Sequence, residues 1–457
     1  MRVHFIAIGG AAMHGLALAL HRQGHRVTGS DDAISDPSRS RLAEAGLVPD
    51  RLGWHPHRIV PELDAVILGM HARRDNPELE KALQLGLKVW SFPEYLYHET
   101  RGKVRVVVGG SHGKTTVTAL VMHALRLSGK RFDYMVGAEL DGFKTMVGLD
   151  PESQFAVFEG DEYPASAIDP RPKFHVYRPH FAVVTGVAWD HANVFPSPEI
   201  YEEQFARFVE QVEAGGSVVY NGEDDAVCRV LRRCQPGVSK LHYRTPPYRV
   251  CEGRYHVRLG GSEVEVQLLG RHNMLNLAAA HTVCRALGLD DREFCAAAAT
   301  FPGAARRLQL LFRDGSTRVY LDFAHAPSKV SATVDALREA FPETRLTALL
   351  ELHTYSSVRP DFIVNYRGAL DAADRAAVFL SPETCRQRGV PLLTDREIRV
   401  AFGRTDLEYL ADRADLERWL QNLELHNTTV LLMSSGSFGG VDLGGLLSRR
   451  MAEIRSG

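Results

Sequence analysis

An excess of charge of either sign is missing from this chain of 457 residues: 54 Lys plus Arg stand against 56 Asp plus Glu, a formal net charge of -2. That balance argues against the broad basic field that gathers nucleic acid or an anionic membrane surface. Small acidic substrates stay open, because a local site can be positive on a neutral protein. Cysteine is scarce and unpatterned. Cys228, Cys234, Cys251, Cys284, Cys295 and Cys385 form no C-x-x-C pair and no zinc-like spacing, so a reducing compartment is expected. No run approaches the ~18 apolar residues that span a bilayer. The opening "MRVHFIAIGG" passes at once into a strand-and-turn pattern, without the apolar core of a signal peptide. A cytoplasmic protein is expected, without nucleic-acid partner or membrane insertion, as a monomer or weak homo-oligomer. Short-period repeats and low-complexity segments are also lacking.

A composition of 45% hydrophobic and 24% charged residues belongs to a globular protein. Length alone suggests about two to three domains. Apolar runs of strand length alternate with helical patterns, which predicts α/β layers with mainly parallel sheets. The runs include Val3–Ile8, Ala65–Leu68, Val104–Val108, Phe155–Phe158, Phe181–Thr185, Val319–Phe323, Leu346–Leu350, Ala377–Leu380 and Val430–Met433. Between Ser217 and Gly270, "SVVYN" and "RYHVRLGGSEVEVQLLG" predict antiparallel hairpins added to the middle unit. Polar "YHETRGK" and the Pro-Gly break in "TFPGAARR" mark two borders. Three α/β units in tandem are expected.

The first unit opens with a strand, then Gly10-x-Ala12-x-x-Gly15 and an apolar helix, with Asp31 and Asp32 closing the second strand. This is a dinucleotide-type turn with alanine in place of the middle glycine. Its glycines let a helix amino terminus aim free N–H groups at phosphate, and the alternative is a turn that merely packs. "GGSHGKTT", Gly109 to Thr116, has the strand-to-helix context of a phosphate loop. Gly109, Gly110, Ser111, His112 and Gly113 present backbone N–H groups to an anion. Lys114 neutralises phosphate charge, and Thr115 with Thr116 offers hydroxyls, Thr115 toward Mg²⁺.

Acids follow the next two strands, where open α/β sheets place ligands. "EGDEYPAS" carries Glu159, Asp161 and Glu162, and "GVAWDHANVF" carries Asp190 and His191. Helix capping is the bland reading of either cluster. Further on, His272, Asn273 and Asn276 open a helix. Arg306 and Arg307 stand in "GAARRLQ", and Asp322 and His325 in "YLDFAHAPSKV".

Together and in this order, these motifs resemble the Mur ligase family, ATP-dependent enzymes that add amino acids or peptides to a UDP-N-acetylmuramoyl acceptor. The family's loop reads G-T-x-G-K-T-T after a small residue, so Val108 falls where other phosphate loops have glycine. The resemblance implies three domains. A Rossmann-like UDP-sugar-binding domain spans residues 1–101, a P-loop-type ATP-binding domain with added antiparallel hairpins 102–301, and a Rossmann-like domain for the incoming amine 302–457. It implies ATP and Mg²⁺, with Thr115, Glu162 and His191 as metal ligands and Lys114 on the γ-phosphate. Asn273 and Asn276 are implied to meet adenine, and Arg306 or Arg307 with Asp322 the phosphate and ribose side. Gly9, Gly10 and Asp31 with Met70 and His71 are implied to line the UDP pocket. Lys114, His191, Arg307 and His325 form the expected catalytic set, and closure of the third unit over the second is expected.

Two branches of the family start with this kind of first unit. One joins L-alanine to UDP-N-acetylmuramate, and the other joins L-alanyl-γ-D-glutamyl-diaminopimelate to the same acceptor. "DEYPASAIDPRPKFHVYRP" and "MSSGSFGG" are similar to the second. "LELHTYSSVRPDF" matches neither. Rival readings are a nicotinamide-dependent dehydrogenase, a folyl- or amino-acid-polymerising ligase, and a catalytically silent nucleotide-binding protein.

Overall fold

The computed structural model describes residues 1–189 and 194–456, with side chains described through residue 450. Three larger sheets carry the chain, and each is parallel at its centre. In the first, the strands Arg26–Ser30, Arg2–Ile6, Ala65–Leu68 and Val89–Ser91 lie side by side in that order, all parallel. Val3, Phe5, Ile6 and the whole of Ala65–Leu68 are buried, as expected of strands covered on both faces. Local chemistry sets the helix starts between them. Asn76 accepts from the backbone N–H groups of Glu78 and Leu79, and Ser91 forms a reciprocal capping box with Glu94.

The second sheet has seven strands, in the order Ser239–Tyr243, Ser217–Asn221, Phe181–Val184, Val104–Gly109, Phe155–Glu159, Phe132–Met135 and Val147–Gly148. All pairs are parallel except the last. Val104–Gly109 therefore lies between the two strands that run into the acidic segments. Arg105, on this strand and 2% exposed, is met by main-chain carbonyls and by the Glu213 carboxylate at 3.4 Å. It donates to Thr100 at 2.8 Å and Tyr177 at 2.9 Å, tying the link before the strand to the segment after the acids.

One expectation changes here. "SVVYN" is a parallel member of the seven-stranded sheet, so no hairpin starts at Ser217. Its alternation reflected an off-centre strand with partly covered faces, not an antiparallel partner. The hairpins proper are Tyr248–Cys251, Arg254–Leu259 and Ser262–Val266. A further hairpin, Pro164–Ser166 with Asp169–Pro172, lies inside the post-acid segment.

The third sheet runs Gln309–Asp314, Thr317–Asp322, Thr428–Met433, Arg345–Glu351, Arg375–Phe379, Glu408–Leu410. Only its first pair is antiparallel. By compactness the chain forms two units. One comprises Met1–Ala188, Glu199–Arg244 and Ala279–Phe294, and holds the first two sheets. The other comprises Trp189–Pro198, Thr245–Ala278 and Cys295–Gly457, and holds the third. Among the described residues no helix is long and apolar enough to cross a membrane.

Candidate active site

The phosphate-type loop is formed by close backbone approach. Gly110 has φ 140°, and a Cβ there would lie 2.0 Å from Thr185 Oγ1, so no side chain fits. Gly113 adopts the left-handed conformation at φ 74° and opens the helix Lys114–Leu127. Thr185, at the end of the neighbouring strand, donates its hydroxyl to the carbonyls of Gly109 and His112. Ser111 Oγ accepts from Ala188 N at 2.9 Å, and Ser111 N donates to Gly186 O at 2.9 Å. The loop is thus pinned to the adjacent strand end before any ligand arrives. Thr116 is buried on the helix it helps begin.

Charge gathers at the helix start. Lys114 Nζ donates to Gly110 O at 2.6 Å and to Glu162 Oε2 at 2.9 Å. Glu162 is 1% exposed. Burial by itself lowers the Lys114 pKa, but the Glu162 and Asp161 carboxylates outweigh it and raise the ammonium above the ordinary lysine value. Thr115 Oγ1 donates to Glu159 Oε1 at 3.0 Å, and the other Glu159 oxygen accepts from Gly137 N at 2.7 Å. Asp161 instead pairs with Lys173 at 2.6 Å. Asp190 and His191 lie outside the described residues.

The first unit's turn is arranged differently. Gly9 N donates to Asp31 Oδ2 at 2.7 Å, and a Cβ on Gly9 would come within 2.9 Å of that oxygen. Burial raises the Asp31 pKa against the opposing Gly9 and Ala33 hydrogen bonds. Gly10 caps the helix Ala11–Arg22. Gly15 faces Val147 of the seven-stranded sheet, where a Cβ would sit 3.3 Å away, so this glycine serves packing. Met70 and His71 are exposed at the end of the third strand.

In the unit that holds the third sheet, Asn273 Nδ2 donates to Leu269 O and Asn276 Nδ2 to Asn273 Oδ1. Asp322 accepts from the backbone N–H groups of Leu308 and Ala324 at 2.6 Å each. Arg306 and Arg307 lie over the Phe323 ring, and Arg306 Nη2 also donates to Ser434 O and Gly436 O. His325 Nδ1 lies 2.9 Å from Phe323 O. Glu351, buried at the end of its strand, accepts from Ser434 Oγ, Phe438 N and Gly439 N. The loop Ser434–Gly440 is therefore wrapped around one carboxylate, with the His353 ring 2.7 Å from where a Cβ on Gly436 would stand.

Family models match most of the chain: the Mur ligase family catalytic domain over residues 2–103 and the Mur ligase middle domain over residues 108–284. Similarity extends along its length. The chain is 33% identical over 452 residues to the UDP-N-acetylmuramate–L-alanine ligase of Rubrobacter xylanophilus, covering 95% of this chain and 97% of that protein. The chain belongs to the Mur ligase family. This Mur ligase is also 29% identical over 451 residues to the UDP-N-acetylmuramate–L-alanyl-gamma-D-glutamyl-meso-2,6-diaminoheptandioate ligase of Escherichia coli K12, with 96% of each chain covered. Among solved structures, the murein peptide ligase of Psychrobacter arcticus has the same fold, with TM-score 0.66, 22% identity and coverage of 99% and 98%. The UDP-N-acetylmuramate–alanine ligase of Thermotoga maritima aligns with TM-score 0.71 at 22% identity, covering 100% and 99%.

The architecture is thus α/β with parallel sheets, that of the three-domain Mur ligases, and the activity class is an ATP-dependent acid–amino acid ligase. Membership sets aside the dehydrogenase reading. The oxygen donors near Lys114 fit Mg²⁺: Thr115 supplies a hydroxyl, and Glu159 and Glu162 supply carboxylates. Magnesium in phosphoryl-transfer sites takes one or two carboxylates together with substrate phosphates. Among the described residues there is no group of three His, Cys, Asp or Glu that could hold a metal. Sequence reasoning missed Thr185, whose only signal was its place at a strand end beside the loop. It also left Glu351 and His353 unassigned within "LELHTYSSVRPDF", because a lone acid and a lone histidine carry no spacing.

Proposed function

We propose that the chain activates the lactyl carboxylate of UDP-N-acetylmuramate with ATP and joins it to the amine of L-Ala-γ-D-Glu-meso-diaminopimelate. The observation that carries the ATP half is the Lys114–Glu162 pair at a glycine loop pinned by Thr185. A buried ammonium held by a carboxylate and a carbonyl can turn to a γ-phosphate and offset the charge that develops there. In this reading the loop N–H groups from Gly109 to Gly113 cradle the phosphates. Asn273 and Asn276 serve the adenine, and Arg306, Arg307 and Asp322 the phosphate and ribose. Thr115, Glu162 and His191 would hold Mg²⁺, which would supply further charge neutralisation.

Gly9, Gly10, Asp31, Met70 and His71 hold the acceptor's UDP. The acceptor's carboxylate oxygen attacks the γ-phosphorus, the bond to the bridging oxygen breaks and ADP leaves. The amine then attacks the acyl carbon and gives up a proton to solvent, the acyl C–O bond breaks and inorganic phosphate leaves. His325 orients the amine substrate. The division of labour follows domains of residues 1–101, 102–301 and 302–457.

The peptide amine is supported by two segments, Asp161–Pro179 with its hairpin and Met433–Gly440 wrapped on Glu351. Both are similar to those of the peptide-adding branch. A second reading, L-alanine as the amine, is favoured by the 33% identity to the Rubrobacter protein. Incubating the protein with ATP, Mg²⁺ and UDP-N-acetylmuramate while offering the tripeptide and L-alanine in parallel separates the two. ADP release confined to the tripeptide is expected, and release confined to L-alanine overturns the first reading.

A further inference from the structure

Glu162 has a second donor whose place no motif reveals. Tyr201 lies on the helix Pro198–Glu210, is fully buried, and brings its hydroxyl to 3.3 Å from Glu162 Oε1. Its ring is fixed by an aromatic cluster. Tyr201 meets Phe205 edge-on at 5.1 Å, and Phe205 packs on Phe174, which packs on Phe208. Lys114 reaches both oxygens of Glu162, Oε2 at 2.9 Å and Oε1 at 3.3 Å, and Tyr201 shares Oε1 with it.

These donors differ in what they can do next. Lys114 sits on the phosphate loop, and its ammonium has a better partner once a triphosphate is bound. The Tyr201 hydroxyl is carried on another element by a ring packed into the aromatic cluster. We propose that Tyr201 is a positioning residue for the metal–nucleotide site. It holds the Glu162 carboxylate in its orientation when Lys114 leaves for phosphate, so that the released carboxylate would already be aimed for a divalent cation. The inference rests on the ATP-ligase reading and adds a residue to it. Partners that orient a metal-binding carboxylate typically change metal affinity by about tenfold or more when removed.

The experiment is Tyr201→Phe, which keeps the ring and removes the hydroxyl. Mn²⁺ binding is followed by the loss of the free-ion electron paramagnetic resonance signal, in the presence of a non-hydrolysable ATP analogue. The expected result is a Kd for Mn²⁺ raised about tenfold, with affinity for the analogue in the absence of metal unchanged. ATP-dependent turnover should be recovered at high Mg²⁺, a split that general loosening does not produce. Phe205→Leu perturbs the same cluster without touching the hydroxyl, and is expected to leave Mn²⁺ affinity alone. Unchanged Mn²⁺ affinity in Tyr201→Phe, or an equal loss in Phe205→Leu, overturns the proposal. Failure of the wild-type protein to bind Mn²⁺ with the analogue instead overturns the underlying ATP-site reading.

Discussion

Two turns in this chain do the same geometric job, leading a parallel strand through glycines into a helix, yet their surroundings are opposite. The turn before Ala11 is braced by a carboxylate, with Gly9 N on Asp31, and its third glycine packs a helix on Val147. The turn before Lys114 holds an ammonium between a carbonyl and Glu162, with Thr115 on Glu159 beside it. Glycines report only that backbone must come close. The charges around the turn decide what it serves, and only the second turn collects both an ammonium and carboxylates able to share a metal and a phosphate.

The sharpest way to break this contrast is Lys114→Ala. Amide formation is expected to fall about 10³-fold, measured as ADP release with saturating substrates. The apoprotein should also lose about 3 kcal/mol in denaturant unfolding, because the buried Glu162 carboxylate loses its ammonium partner. Full activity in this variant would reduce the second turn to a packing feature like Gly15. Next in size, Gly110→Ala puts a Cβ on Thr185 Oγ1 at a φ that side chains rarely adopt. A stability loss of about 3 kcal/mol is expected, with nucleotide binding lost by calorimetry.

Gly9→Ala tests the other turn. Crowding of Asp31 and Ile34 should raise KM for the UDP-sugar acceptor about tenfold while leaving ATP affinity intact. Equal effects on both substrates would show that the turns do not divide the work. The smallest effect concerns pH. Burial raises the Asp31 pKa above its ordinary 3.8, so the native state holds that proton more tightly than the unfolded chain. Stability from this group therefore falls as pH rises from about 3.8 through the raised native pKa. Asp31→Asn keeps an acceptor for Gly9 N and removes that slope. Unfolding midpoints compared across about pH 3 to 7 should show the variant gaining on the wild type as pH rises.

Much of the fold was legible because parallel strands buried on both faces read as continuous apolar runs, as Val104–Val108 and Val430–Met433 do. The short edge strands Val89–Ser91, Val147–Gly148 and Glu408–Leu410 were not, since strands of two or three residues carry no period. "SVVYN" was recognised as a strand but paired wrongly, because alternation tells which face is covered and not which neighbour covers it. At the site, the loop and Glu162 were legible from order along the chain. Arg306 was read as a lone phosphate-side arginine, whereas in the structure its guanidinium also ties down the loop Ser434–Gly440.

The sequence by itself determined the class of turn, the lysine and hydroxyl on it, and the acids that follow, because glycine, Lys114 and Thr115 act through local backbone geometry. Which acid meets which partner was decided only by tertiary structure. Glu159 goes to Thr115, Asp161 to Lys173, and Glu162 to Lys114 and Tyr201. The physical reason is that a carboxylate is buried only where donors from other strands and helices converge on it, and that convergence is a property of the packed sheet.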